Sequence, residues 1–142
     1  MTTMKPTIKT ALTLAATATL LAVASPATPA FAGGSIAYYL QPRSASDAQV
    51  MDFGLRAYAL YKGLKGGGAR IDQNGQNNSA GVAQDGGGNV GIIGQEGNGH
   101  AARLQQAGSG NSYGIFQYGR NTNADVVQQG DGGTGATFTY GW

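Results

Sequence analysis

The stretch Asn111–Asn121, NSYGIFQYGRN, contains the pattern that decides the fold. Tyr113, Ile115 and Gln117 lie two residues apart, and two is the period at which the side chains of a β-strand return to the same face. Gly119 follows within a polar segment whose Gly and Asn residues tolerate positive φ, as is typical of a turn. The stretch therefore predicts one short strand followed by one turn.

The same pattern recurs every eleven residues from Gly67 to Trp142, in seven rows without an insertion. Within a row the third column is mostly small, the fifth is aliphatic or Thr, the seventh is Gln or Thr, and the ninth is Gly. Such a fixed period indicates a repeat architecture. An eleven-residue repeat can also mark a right-handed coiled coil. Each Gly costs about 1 kcal/mol relative to Ala in a helix, and because this cost recurs in every row, it excludes the coiled coil. The turn glycines are Gly75, Gly86, Gly97, Gly108, Gly119 and Gly130.

The rows predict an all-β fold, a β-solenoid over residues 67–142 in which two rows form one coil of 22 residues. Successive coils are expected to stack about 4.8 Å apart, with the two sheets about 10 Å from each other. Columns three, five and seven then point into the narrow space between the sheets, where small and β-branched residues fit. The predicted core residues are Ile71, Val82, Ile93, Leu104, Ile115 and Val126.

A Gln in an inward column is unusual, because a buried amide must be hydrogen-bonded. In a stack of coils each Gln lies above a copy of itself, so every amide can donate to one neighbour and accept from the other. We therefore expect side-chain amide ladders that link coil to coil. The Gln residues of the seventh column are Gln73, Gln84, Gln95, Gln106, Gln117 and Gln128.

The even columns are expected to face outward, and residues 22 apart to lie side by side. This register places Phe116 beside Phe138 and Tyr118 beside Tyr140, forming an outer aromatic ladder. It also places Arg103 beside Asp125, an oppositely charged pair.

Two features of this solenoid favour polymerisation. Its core is thin, and its last row still reads as a strand, so both ends of the stack are expected to present strand edges with unpaired N–H and C=O groups. A second copy added end to end would pair these groups and extend every ladder. The sequence therefore predicts a fibril in which the partner is the chain itself.

Residues 1–32 have the features of a secretory signal peptide: Lys5 and Lys9, an apolar stretch over residues 11–24 and an A-x-A sequence ending at Ala32. A membrane anchor is the alternative, but the apolar stretch is short for a bilayer and contains Thr. Cleavage after Ala32 would leave seven basic and seven acidic residues. We expect such a neutral chain to bind no nucleic acid, to insert stably in no membrane and to meet little repulsion on self-association.

The side chains that enzymes and cofactors need are sparse, so we expect neither catalysis nor a cofactor. The chain has no Cys, and its single His, His100, occupies a turn position and is expected to be a polar corner residue. Asp85 and Asp131 lie near turns but lack the Asp in nearly every turn that calcium-binding repeats require. The Gly-rich strings are not followed by a helix pattern, so no phosphate loop is implied.

Residues 78–86, NSAGVAQDG, and the row from Asn111 follow the pattern N-x-A-x-I-x-Q-x-G. This pattern resembles the curlin repeat of bacterial curli subunits, which are secreted functional amyloids. The resemblance implies that the six Gln are amide-ladder positions, with Asn78, Asn89 and Asn111 as their Asn counterparts. The rows also depart from the pattern: His100 and Thr122 replace Asn, Gly67 and Gly133 lack it, Tyr113 is large, and Thr137 and Thr139 replace the aliphatic residue and Gln.

The resemblance further implies export through an outer-membrane secretion pore, nucleation at the cell surface by a nucleator subunit, and a role of the extracellular fibre in cell adhesion and biofilm matrix. The major fibre subunit is the preferred interpretation. Two alternatives stay open. One is the minor nucleator of the same fibres, and the other is a monomeric solenoid adhesin that binds glycans through its outer aromatic ladder.

Residues 33–66 do not follow the repeat. The run Ile36–Leu40 predicts a strand, and Ser46 with Gln49 reads as a capping box that opens a helix of about 16–18 residues. The resemblance implies that this segment addresses the chain to its secretion pore. The alternative is that its helix covers the N-terminal edge of the solenoid.

Overall fold

The computed structural model describes residues 33–142, so the predicted leader lies outside the described residues. This part of the chain forms eight strands and one helix. In chain order they are β1 Ser35–Leu40, α1 Ala45–Tyr61, β2 Gly68–Asn74, β3 Ser79–Asp85, β4 Val90–Asn98, β5 Ala101–Ala107, β6 Ser112–Arg120, β7 Asn123–Gln129 and β8 Thr134–Gly141.

The seven repeat strands alternate between two sheets. Sheet A has the order β1-β8-β6-β4-β2, and sheet B has the order β3-β5-β7. Each of the strands β2–β6 pairs in parallel with the strand two rows on, and each register joins residues 22 apart, as in Ile93↔Ile115 and Leu104↔Val126. The predicted β-solenoid with 22-residue coils is confirmed.

The ninth column contains Gly for two reasons that act together. Gly97 has φ +127° and Gly108 has φ +111°, a region that residues with a Cβ rarely adopt. In addition, a Cβ on Gly97 would collide with the carbonyl oxygen of Gly119 in the next coil, and one on Gly108 with that of Gly130. The close stacking of turn on turn therefore leaves no room for any other residue.

Helix α1 lies on the outer face of sheet A. Leu55 and Ala59 are buried there against Val90 and Ile92, which occupy even, outward-facing columns of one row. The helix therefore packs on a sheet face and not over the N-terminal edge, because Val90 and Ile92 give it a broad hydrophobic surface to bury. No helix within residues 33–142 is long and apolar enough to cross a membrane.

The helix begins two residues earlier than the sequence pattern predicted. Ser44 is the N-cap, and its hydroxyl accepts a hydrogen bond of 3.1 Å from the backbone N–H of Asp47. Ser46, expected to open the helix, lies inside it. Ser44 and Asp47 have the same three-residue spacing as Ser46 and Gln49, so either pair fits a capping box and only the backbone distinguishes them.

Strand β1 closes the last edge of sheet A. It pairs antiparallel with β8, from Ser35↔Gly141 to Leu40↔Ala136. The expectation that the last row presents an open edge is therefore wrong for sheet A, because the chain's own N-terminal strand satisfies its backbone groups. In sheet B the corresponding strand β7 has no neighbour beyond it among the described strands.

The main core lies between the sheets, where Ile93, Leu104 and Ile115 are completely buried. Val82 and Val126, nearer the ends of the stack, are partly buried against them. Ile71 was predicted as core but is 39% exposed. It lies on β2, the first strand of the stack, and no coil covers it from the N-terminal side.

Candidate functional site

The Gln residues of the seventh column form two continuous side-chain ladders. In sheet A the Nε2 of Gln73 donates to Oε1 of Gln95 at 2.7 Å, and Gln95 donates likewise to Gln117 at 2.7 Å. In sheet B, Gln84 donates to Gln106 at 2.8 Å and Gln106 to Gln128 at 2.7 Å. All four bonds run in the same direction, from the N-terminal to the C-terminal end of the stack.

Four of the six ladder amides also join the two sheets. The second N–H of Gln95 donates to the carbonyl of Ser79 at 2.9 Å, and that of Gln117 to the carbonyl of Ala101 at 3.0 Å. Gln84 and Gln106 make the equivalent bonds to carbonyls of sheet A. The donor and acceptor groups of a buried Gln are thus used along and across the solenoid, which removes the penalty for burying an amide.

The first column uses Asn in a second ladder at the turns. The Oδ1 of Asn89 accepts from the backbone N–H of Asn111 at 2.9 Å, while its Nδ2 donates to the carbonyl of Gly108 at 2.8 Å. Asn78 and Asn111 repeat both contacts in their own coils. The Asn side chain therefore ties each turn to the turn above it.

His100 takes the place of Asn in one row and reproduces its bonding. Its Nδ1 lies 2.7 Å from Oγ1 of Thr122 and accepts from the Thr122 backbone N–H at 3.4 Å, and its Nε2 lies 3.3 Å from the carbonyl of Glu96. This set of contacts fits a neutral ring with its hydrogen on Nε2. His100 lies at the corner between β4 and β5, and the residue is only 1% exposed.

Tyr113, the large residue in a column of small ones, has a matching gap above it. A Cβ on Gly135 in the next coil would overlap the Tyr113 ring. The Tyr113 hydroxyl lies 2.8 Å from Oγ1 of Thr137, and burial raises the pKa of this phenol. The two departures Tyr113 and Thr137 are thus in direct contact, and the small Gly135 leaves room for the Tyr113 ring.

The aromatic residues of the even columns belong to two environments. Phe116 and Phe138 stack with their ring centroids 4.9 Å apart, and Tyr58 of α1 packs edge-on against Phe116. Tyr118 and Tyr140 lie in register but remain 40% and 54% exposed. The helix therefore covers part of the outer aromatic ladder and leaves the two tyrosines accessible.

Charged side chains are few and lie outside the solenoid core. Asp72 accepts from Arg70 at 2.6 Å and lies 3.3 Å from Lys62, so β2 is tied to the end of α1. The Arg70 guanidinium holds the pKa of the Asp72 carboxyl below its usual value. Arg103 and Asp125 are in register, as expected, but their side chains form no salt bridge. Within the described residues, His, Asp and Glu form no group of three that could bind a metal.

The ends of the stack differ in what they expose. Within residues 33–142, β2 and β3 are both free edges at the N-terminal end of the stack, and the Oε1 atoms of Gln73 and Gln84 accept from no further rung. At the C-terminal end β7 is a free edge and β8 is covered by β1. Beneath that cover, Thr139 is 4% exposed and its hydroxyl has no hydrogen-bond partner.

Sequence reasoning missed the partners of residues 33–66. The apolar Val90 and Ile92 in outward columns were a usable signal for a covering element, since an exposed strand face alternates with polar residues. The pairing of β1 with β8 had no comparable signal, because any strand of suitable length fits a free edge. The bonds from Gln to the opposite sheet depend on the sheet-to-sheet offset, which the repeat does not encode.

This geometry defines a class of protein, a repeat β-solenoid whose coils are joined by buried amide ladders. Comparison with known families agrees: the model of the curlin associated repeat matches residues 75–108. This match confirms, over the matched residues, the resemblance to the curlin repeat seen in the sequence. No curated protein and no solved structure matches the chain significantly.

Proposed function

We propose that the chain is an exported structural subunit that adds end to end to copies of itself, forming extracellular curli-like amyloid fibres for cell adhesion and biofilm matrix. The curlin repeat supports a structural rather than an enzymatic role. Of the two fibre roles, we propose that of the major subunit, with the nucleator as the alternative. A secretion pore in the outer membrane and a separate nucleator are the partners that this role requires.

The observation that carries the proposal is that both amide ladders are unfinished. Gln73 and Gln84 offer acceptor oxygens at one end, and Gln128, the last rung of sheet B, lies at the other. A ladder of this kind can be extended by an identical rung without any change in its geometry. The free strand edges at the same places extend the backbone hydrogen bonds in parallel.

Exposed apolar side chains at the ends of the stack also favour end-to-end addition. Ile71 is 39% exposed on the first strand, and Val126 is only partly buried on the last strand of sheet B. Both side chains occupy the fifth column, which is completely buried in the middle of the stack. End-to-end addition would complete their burial, and each CH₂ removed from water contributes about 0.8 kcal/mol.

A charge placed at the β7 edge tests this proposal. In Val126→Lys the ammonium points inward at the edge strand, where an added coil would have to bury it. Val127→Lys is the matched control, because this neighbour lies on the same strand but faces outward and is 57% exposed. Both variants should remain folded by circular dichroism, and their rates of adding to wild-type seeds are compared by thioflavin fluorescence.

We expect Val127→Lys to elongate seeds like the wild type and Val126→Lys to do so at least about tenfold more slowly. Aged wild-type material should show the strand spacing of about 4.7–4.8 Å by fibre diffraction. A wild-type chain that stays monomeric at high concentration and shows no such spacing would contradict the proposal. If that monomer bound oligosaccharides through the exposed Tyr118 and Tyr140, the adhesin alternative would replace it.

A further inference from the structure

The number of rows determines how a second copy can fit. Rows alternate between the sheets, and the seven strands β2–β8 begin and end in sheet A. Among the strands of residues 33–142, the next position of the coil without a strand therefore lies in sheet B, beside β7. A second copy that continues the coil must place its own β2 there, although β2 belongs to sheet A in its own molecule. The two copies are then related by a half-turn about the solenoid axis.

This arrangement matches side chains column by column. Gln73 of the second copy would lie over Gln128 and continue the ladder of sheet B, and Ile71 would lie over Val126. In the outward columns, Arg70 of the second copy would lie over Asp125, which itself lies next to Arg103. Positive and negative side chains would then alternate along this column.

The second row of the incoming copy needs the position that β1 occupies. After β2 has paired with β7, β3 falls on β8, with Gln84 above Thr139. The Thr139 hydroxyl is buried without a partner under β1. The Gln84 side-chain oxygen accepts from no rung in its own molecule, so it could accept from Thr139. The inward columns of β8 are therefore better complemented by β3 of a second copy than by β1.

Strand β1 pairs with β8 along its whole length but leaves several of its large side chains exposed. Tyr38, Tyr39 and Leu40 are 47%, 67% and 44% exposed. Its sheet pairing is to β8 alone, and it contains no Gln that could continue a ladder. Such a strand protects an edge without completing the repeat.

Resting on the proposed function, we propose that β1 is a detachable cap on β8, and that a second copy, turned by half a coil, displaces it after docking its β2 on β7. Growth at the C-terminal end thus has two steps. In the first, β2 of the second copy docks on β7 at the open position in sheet B. In the second, β3 takes the position on β8 in sheet A that β1 had occupied. Release of β1 from β8 is the step that controls elongation at this end.

A reversible cross-link tests the cap. Gly34 and Trp142 exchange two backbone hydrogen bonds, so pairing alternates and Ala37↔Thr139 is a non-hydrogen-bonded pair. In such pairs the Cα atoms lie about 4.5 Å apart, within the range for a disulfide. The sequence has no other Cys, so Ala37→Cys with Thr139→Cys gives a single defined bond. The reduced form of the same chain is the control.

We expect the oxidised form to add further copies to its C-terminal end at least about tenfold more slowly than the reduced form, and reductant to restore growth. Equal growth of the two forms would overturn the cap. Absence of fibres from the wild-type chain under the same conditions would instead overturn the proposed function itself, so the two failures are distinguishable.

The half-turn has its own test. Fibres grown from a mixture of Asp125→Cys and Arg70→Cys chains should form intermolecular disulfides on oxidation. A mixture of Asp125→Cys and Gly81→Cys chains should not, because Gly81 meets Asp125 only if the second copy is added without the half-turn. Cross-linking in the second mixture and not in the first would overturn the proposed arrangement.

Discussion

The two sheets of the solenoid are built from the same repeat, yet one is covered and the other is bare. Inside, both present Gln, aliphatic and small residues in the same columns. Outside, sheet A carries Val90, Ile92 and Phe116, which pack against α1, and its last edge carries β1. The outer face of sheet B carries mainly small and polar residues, such as Gly81 and Asp125, with Val127 as an exposed aliphatic residue, and nothing within residues 33–142 packs over them.

This difference shows that the inward and outward columns carry separate information. The inward columns specify the coil, and any row could serve in either sheet. The outward columns vary from row to row and decide where the N-terminal segment binds. Arg56 strengthens that choice, because it donates from α1 to the turn carbonyls of Gly88 and Gly110 at 3.1 and 3.0 Å.

The first prediction tests whether the repeats of the two sheets are equivalent. It concerns the turn glycines, where we expect the largest effect on the free energy of unfolding. Gly97→Ala and Gly108→Ala, at the ninth-column turns of sheets A and B, should each cost at least about 3 kcal/mol, because positive φ and the carbonyl of the next coil both oppose a Cβ. Gly87→Ala is the matched control, with open space around it, and should change stability by less than about 0.5 kcal/mol. Urea unfolding of dilute monomer measures all three. A large cost in one sheet only would show that the repeats are not equivalent.

The difference between the outer faces of the two sheets predicts an intermediate effect on the free energy of unfolding. Ile92→Ala should cost about 2–3 kcal/mol, because this side chain is 1% exposed beneath α1. Val127→Ala removes an aliphatic side chain from the outer face of sheet B, where it is 57% exposed, and should cost less than about 0.5 kcal/mol. The same unfolding measurement applies. Similar costs for the two variants would mean that α1 does not rest on sheet A in solution.

The smallest effect concerns the start of α1. Ser44→Ala should cost about 1 kcal/mol, since it removes the hydroxyl that accepts from Asp47. Ser46→Ala lies within the helix and should be neutral or slightly stabilising, because Ala has the higher helix propensity. Thermal melting of the two variants compares the structural N-cap with the one that the sequence pattern suggested, and a reversed order would place the helix start at Ser46.

Most of the solenoid could be predicted from sequence, because the same contacts between residues 22 apart recur in each coil. Register, inward faces and ring stacking at Phe116 and Phe138 all follow from a period of 22 residues. Features that occur once were not predictable in this way. The positions of β1 and α1 depend on three-dimensional surfaces that the repeats create only after folding, and the burial of His100 depends on its imidazole matching the bonding of an Asn amide.

The common direction of the four Gln–Gln bonds has an electrostatic consequence. Amide dipoles aligned head to tail polarise one another, so each bond in such a chain strengthens its neighbours. Their sum gives the solenoid a dipole moment along its axis, and addition of another copy in the same orientation lengthens that array. A copy in the opposite orientation would bring like ends of two dipoles together, which disfavours head-to-head contacts.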